Sequence, residues 1–353
     1  MALWIDKHRP QNLSDLTIHQ EANTLLTKLA SSQAFPHLLF CGPSGSGKKT
    51  RVMGFLRELF KQSIDATKMR TEYKTIEVGD KKIEIAVSSS QYHVELTPAD
   101  AGNNDRHVIS FFLKEIAASQ TVGDIKIKVI VINEANRLSK LAQQALRRTM
   151  EKYAKTCRLI LICDSLSQII EPVRSRCLII RTPRVKNDDV AKIVKEVAVA
   201  EDFDINDNSI LSIVHESNGN LRRAIILLEM LSTKRSSSSN IDSVIPEWEK
   251  YTDELCKILL EEQLVPETMK KIRNHLYELL VHCIPPTDIF KRIVRTLLSK
   301  VDMQLIEPIT RAAAEYEARM QNGTKPIFHL EAFVARFICI YLDYLSEIND
   351  ELA

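Results

Sequence analysis

Glycine is scarce in this chain, with nine in 353 residues, and aromatic residues make up only 6%. Both shortages point toward a helix-rich construction. The seven cysteines, Cys41, Cys157, Cys163, Cys177, Cys256, Cys283 and Cys339, contain no C-x-x-C pair, which argues against a zinc ribbon. Their odd count, without a pairing framework, suits a reducing compartment. An excess of one charge is also missing. With 48 basic and 46 acidic residues the net charge is +2, so the chain is not coated in positive charge, although a local basic patch stays open. Apolar runs such as that within 158–163 are far too short to span a bilayer. The opening MALWIDKHRP is charged by position six, which gives no expectation of a secretory signal. What is present, 44% hydrophobic and 27% charged residues, is ordinary for a globular protein. The expectation is an intracellular protein of two or three domains with no membrane partner.

Residues 1–183 alternate strand and helix signals. His37–Cys41, 127–132, Arg158–Cys163 and Leu178–Ile180 read as strands, and a helix follows from about Lys48 to Phe60. Continuous apolar strands separated by helices imply a parallel sheet covered on both faces. Residues 61–95 break that rhythm. Their alternating Lys74–Val78 leads into Gly79-Asp80, which predicts a hairpin-like insertion. From Asn187 onward the signals are helical, with a break at Gly219-Asn220 and a polar linker at 234–240. The expected architecture is an α/β domain over 1–183, a small helical domain over 184–235 and a C-terminal all-α domain over 236–353.

Gly42-Pro43-Ser44-Gly45-Ser46-Gly47-Lys48 matches G-x-x-x-x-G-K between a strand and a helix, the context that a P-loop requires. Its glycines let backbone N–H groups turn inward around phosphates. The helix N-terminus adds partial positive charge, and Lys48 reaches the terminal phosphates. The next residue should be Ser or Thr to ligate Mg²⁺, and here it is Lys49. Thr50 follows, but it sits about 100° further round the helix. The strand ending at Ile132 should close on an aspartate that holds the metal and a glutamate that polarises water. It carries Asn133 and Glu134 instead, and an amide oxygen is a weaker ligand for a hard cation than a carboxylate. Two Mg²⁺ ligands are thus altered together. Two readings stand. Either the Lys49 ammonium replaces the metal's charge and hydrolysis is slow, or Lys49 is solvated and Mg²⁺ binds through Thr50 and water.

Several blocks together give this chain a family resemblance. They are the P-loop, Cys163-Asp164-Ser165, Ser175-Arg176-Cys177, Gln143–Tyr153, Gly219–Ala224 and the opening Trp4–Pro10. In order and spacing they resemble the AAA+ clamp loaders, specifically the small subunits of replication factor C. Gly-Lys-Lys-Thr, Asn-Glu-Ala-Asn and His329–Val334 are most similar to the type numbered 3 in animals and 5 in yeast. The resemblance covers essentially the whole chain. It implies a helical lid at 184–235 and a collar at 236–353 that holds a ring of subunits together. It implies ATP or ADP as ligand, with Trp4, Arg9 and Pro10 against the adenine and Arg222 reaching the nucleotide from the lid. Arg176 would be an arginine finger serving a neighbouring subunit's site. Asp164 stands where the family usually has asparagine, and a carboxylate there would repel the terminal phosphate.

The resemblance also implies partners: the other subunits of a hetero-pentamer, the sliding clamp (PCNA), and primer–template DNA in the nucleus. DNA would be gripped through its phosphates without sequence readout. Arg106 and Lys114, on a helix beginning near 107, and Arg147 on the 140–153 helix are the candidate contacts. The other reading of Arg106 is a local pairing with neighbouring carboxylates. Phe111 and Phe112 lie on the helix whose family equivalents meet the clamp. Adjacent helical residues face about 100° apart, so one belongs to the core and the other to the clamp contact. The rival functions are an active AAA+ DNA motor, which should keep Ser or Thr at 49 and Asp at 133, and a nucleotide-free adaptor, against which the P-loop and Arg222 weigh.

Overall fold

The computed structural model describes residues 2–32, 35–60, 70–78, 81–90, 93–118, 128–154, 156–235, 245–261 and 266–352. The chain forms two compact units, Met1–Val244 and Ile245–Ala353. Most of the expected polar linker, at 236–240, lies outside the described residues, as do 61–69, Gly79-Asp80 and Ile127.

In the first unit, β1 (His37–Cys41), β5 (Lys128–Ile132), β6 (Cys157–Cys163) and β7 (Cys177–Arg181) are short β-branched or leucine-rich runs. Alternate residues pack on opposite faces, as a strand's period of two requires. Leu39, Ile130, Ile132, Leu159 and Leu161 face α4 (Asp105–Ala118) and α5 (Lys140–Lys152). Leu38, Phe40, Val129, Val131 and Ile160 face α2 (Gln20–Ser32) and α3 (Lys48–Leu59). Both faces are therefore dry, which explains the absence of polar alternation in these strands. A single turn, α6 (Glu171–Arg174), precedes β7.

The sheet differs from a purely parallel one. β2 (Arg70–Val78) and β3 (Lys81–Ser89) pair antiparallel from Arg70↔Ser89 to Val78↔Lys81, and β3 pairs antiparallel with β4 (His93–Leu96). The order is β2-β3-β4-β5-β6-β1-β7, and β4 through β7 in that order run parallel. The hairpin expected within 61–95 thus extends the sheet, and that span also takes in the first three residues of β4, an inner strand. β4 escapes a reading by apolar runs because it is four residues long and buries His93 and Glu95.

Three helices complete this unit: α7 (Asn187–Ala200), α8 (Asp207–Ser217) and α9 (Leu221–Arg235). They close on Val190, Val194, Ile213 and Leu228. Asn218 in the left-handed region ends α8, followed by Gly219 at φ 73°, which is the break expected at Gly219-Asn220. The short α1 (Trp4–Lys7) lies against this bundle. Trp4 meets the Phe203 ring edge-on at 6.4 Å, and Lys7 and His8 both pair with Glu201.

The second unit contains α10 (Glu247–Glu261), α11 (Pro266–Val281), α12 (Pro286–Leu298), α13 (Met303–Asn322) and α14 (Pro326–Leu352). Leu255, Leu276, Ile293, Phe333 and Val334 centre its core. Arg292 fastens α12 to α10 by donating to Asp253 through Nε (3.0 Å) and Nη2 (2.5 Å), with Glu249 3.0 Å from Nη1. Among the described residues no helix is long and apolar enough to cross a membrane.

Candidate nucleotide site

Parallel pairing brings the carboxyl ends of β4, β5, β6 and β1 to one edge of the sheet, where open α/β sheets place their ligands. The P-loop leaves β1 there. Gly45 at φ +74° sits so close to the start of α9 that a Cβ would lie 1.7 Å from Asn220 Oδ1, and Leu221 N donates to Gly45 O at 3.2 Å. Gly47 at φ +82° turns the chain into α3. Only glycine adopts these conformations without strain.

A cavity of about 610 Å³ opens between the opening segment, the P-loop and α9. Ile5, His8, Arg9, Pro10, Gly45, Ser46, Gly47, Lys49, Thr50 and Arg222 line it. Trp4 is not among its lining residues; its indole is turned to Phe203, and its backbone N donates to Glu229. The opening block therefore meets the cavity through Ile5, Asp6, His8, Arg9 and Pro10, with Trp4 as its anchor. Arg9 Nε donates to Thr50 Oγ1 at 3.3 Å, which bridges opening segment and P-loop helix.

Both P-loop lysines are engaged by carboxylates. Lys48 is buried, and its Nζ donates to Gly42 O, Pro43 O (2.9 Å) and Asp164 Oδ1 (2.7 Å). Lys49 pairs with Glu95, a buried carboxylate on β4. Asn133 Nδ2 donates to the same Glu95 oxygen at 2.6 Å. The strand beside β5 thus supplies an acid next to the position where β5 lacks one. The Lys49 ammonium, read from the sequence as a stand-in for the metal's charge, is thus opposed by a carboxylate.

Glu134 points elsewhere. It takes φ 49°, in the left-handed region, and accepts from Arg137 Nη1 at 2.7 Å. The potential Mg²⁺ ligands are therefore already committed: Glu95 to Lys49 and Asn133, Asp164 to Lys48, and Thr50 to Arg9. Among the described residues no group of three or more His, Cys, Asp and Glu is placed to hold a metal. As arranged, the acidic and hydroxyl groups beside the phosphate loop are each held by a lysine, an amide or an arginine.

Arg176 lies just before β7. Its guanidinium donates to Glu151 Oε1 from Nε (3.0 Å) and Nη2 (2.6 Å), and to Pro172 O from Nη1 (2.6 Å). Arg147, one turn before Glu151, lies 3.5 Å from that oxygen. The two arginines hold the Glu151 carboxyl below its usual range, Arg176 most strongly. Arg106 is exposed at the start of α4. Asp105 beside it is buried and accepts from Ser139 N (2.6 Å) and Ser139 Oγ (2.9 Å), tying the start of α4 to the start of α5. Lys114 is on α4, but its side chain lies outside the described residues. Phe112 is buried, whereas Phe111 is 46% exposed, which decides which of the pair belongs to the core.

Three site residues escaped the reading of motifs: Glu95, Glu151 and Arg51. Arg51 had a legible signal, because it falls in phase with the buried Val52, Phe55 and Leu59 on α3. Glu95 had a weaker one, since a lysine in a metal's place needs an acid nearby.

Three family models match. Residues 18–186 match DNA polymerase III, delta subunit. Residues 192–233 match the RCF1/5-like AAA+ ATPase lid domain, and 248–345 match the replication factor C subunit 3 C-terminal domain. Replication factor C subunit 3 of Mus musculus is 43% identical over 353 residues, covering 98% of each chain. Probable replication factor C subunit 3 of Dictyostelium discoideum is 42% identical over 347 residues, covering 97% of this chain and 99% of its own. Replication factor C subunit 5 of Oryza sativa is 42% identical over 349 residues, covering 97% and 98%. A solved structure of a point variant of Thermotoga maritima RuvB, 16% identical, matches with a TM-score of 0.50 over 83% of this chain and 90% of its own, a likeness of fold alone. Sequence identity along almost the full length, the AAA+ architecture and the matched lid and C-terminal domains converge: the chain belongs to the replication factor C small subunits, the clamp-loader branch of the AAA+ proteins numbered 3 or 5 among its relatives.

Proposed function

We propose that this chain is the nucleotide-holding, weakly hydrolysing subunit of a hetero-pentameric clamp loader. In the nucleus the assembly uses ATP to open the sliding clamp (PCNA) and close it around primer–template DNA. ATP or ADP enters the cavity between the opening segment, the P-loop and α9. Arg9 and Pro10 take the adenine side, Gly42–Lys48 wrap the phosphates, and Arg222 reaches them from the lid.

The observation that carries the reading is the Lys49–Glu95–Asn133 cluster. An ammonium paired with a carboxylate, itself held by an amide, stands beside the phosphate loop, and the acid that should hold the metal is that amide. With Glu134 turned to Arg137, activation of water is poorly supported. Arg176 acts in trans, neutralising charge on the phosphoryl group transferred in the next subunit's site. Such a finger is worth roughly 10³–10⁵ in rate. Arg106, Lys114 and Arg147 contact DNA phosphates, and Phe111 contacts the clamp.

Nucleotide retention tests the central claim. The purified chain should keep about one equivalent of ADP or ATP through dialysis against excess EDTA. Complete release in EDTA, with retention in Mg²⁺, would overturn the metal-light site.

A further inference from the structure

Arg51 is among the largest fully buried side chains, 2% exposed, and it reaches the floor of the phosphate loop. Its Nη1 donates to Ser46 O at 2.9 Å, its Nη2 to Ile18 O at 2.7 Å and its Nε to Asn23 Oδ1 at 3.2 Å. A Cβ on Gly47 would lie 2.9 Å from Nη1, so the guanidinium abuts the residue that starts α3. All three acceptors are neutral, so the charge is not cancelled by the groups it touches.

Burying a cation without an acid partner is costly, and a carbonyl cage alone would be better served by a neutral donor. Burial lowers the Arg51 pKa to about 10, which leaves the group protonated at neutral pH. The surroundings sharpen the contrast. Lys48 and Lys49 are each matched by a carboxylate, so those two pairs contribute no net charge to the phosphate site. A polyphosphate carrying several negative charges then finds a cation behind the loop whose field is not cancelled by a partner acid.

Resting on the nucleotide-binding reading above, we propose that Arg51 is a positioning residue for polyphosphate. Its buried charge, delivered through the floor of the P-loop, supplies part of the electrostatic attraction that a bound metal supplies elsewhere. Its three hydrogen bonds also join the phosphate loop (Ser46) to the segment before α2 (Ile18) and to α2 itself (Asn23).

The charge and the stitching separate by experiment on the full chain, using ADP, inorganic pyrophosphate and adenosine as probes. Displacement of a fluorescent ADP analogue would be measured for wild type, Arg51→Gln and Arg51→Lys. Arg51→Gln should weaken ADP and pyrophosphate by about tenfold or more, the size of one lost low-dielectric charge interaction. Adenosine should stay within about twofold. Arg51→Lys keeps the charge and loses the fork, and should hold ADP within about threefold of wild type. Equal losses for adenosine and ADP in either variant would reduce Arg51 to a structural strut and overturn the proposal. Unchanged ADP affinity in Arg51→Gln would overturn it as well. If Arg51→Gln does not fold, Arg51→Lys decides alone: a tenfold loss of ADP there counts against the charge. Wild type that binds no ADP would instead remove the nucleotide reading on which this rests.

Discussion

Lys49 carries its ammonium where a serine or threonine hydroxyl would meet a metal, and the carboxylate that answers it comes from the neighbouring strand. Glu95 is buried, and burying a carboxylate is costly unless it is paired and hydrogen-bonded. Lys49 and the Asn133 amide therefore hold Glu95 as much as Glu95 holds them. The cluster is a small circuit that must be rebuilt as a whole. Lys49→Thr with Asn133→Asp should convert it to a metal-using site: ADP affinity in Mg²⁺ stays within about threefold of wild type, while affinity in EDTA falls by more than about tenfold, equivalent to about 1.4 kcal/mol. Calorimetric titration in the two buffers checks this. A double variant as indifferent to EDTA as wild type would show that Lys49 and Asn133 do not govern metal use. Glu134→Gln, by contrast, should change little, since the metal-holding position beside it is already the amide Asn133.

Among the elements, α4 shows how far the sequence could be read. Val108, Ile109, Phe112 and Leu113 are buried in one phase, and Phe111 falls outside it. The pair Phe111-Phe112 taken by itself left the choice open, whereas the phase of the whole helix makes it. Phe112→Ala should cost about 3–5 kcal/mol of stability by denaturant unfolding. Phe111→Ala should cost under about 0.5 kcal/mol yet weaken clamp binding measurably; clamp affinity equal to wild type would remove Phe111 from that contact. The inner strands were legible for the same reason of phase. β1, β5 and β6 are apolar on both faces and bounded by loop residues, so their runs announce themselves. β4 does not, because its buried Glu95 is satisfied only by tertiary partners, Lys49 and Asn133. A local pattern cannot contain partners that are contributed by other elements. Glu95 was hidden by the same circumstance, whereas the P-loop, a consecutive run of residues, was legible as the turn between β1 and α3.

For the molecule as a whole, the proposed finger role requires that a guanidinium tied down within one chain be released to serve a neighbour. Arg176 makes two contacts to Glu151 and one to Pro172 O, and its side chain is about one-third exposed. Glu151 is half exposed and shares its oxygen with Arg147. Exposed ion pairs contribute about 0–1 kcal/mol, so leaving Glu151 costs little beside what a triphosphate offers. Under the proposed role, Glu151 would park the guanidinium in a defined rotamer without trapping it, and Arg147 would remain to satisfy Glu151 once Arg176 departs. Arg176→Ala in the assembled complex should therefore lower clamp- and DNA-stimulated ATPase while ADP binding by this chain stays within about twofold of wild type. Glu151→Gln should leave folding stability within about 0.5 kcal/mol and should not abolish the ATPase, because it removes the parking contact and not the finger. Steady-state ATPase of complexes reconstituted with each variant separates these outcomes. If Arg176→Ala turned over ATP as fast as wild type, the guanidinium would belong to Glu151 alone, and the chain would be lending nothing to its neighbour.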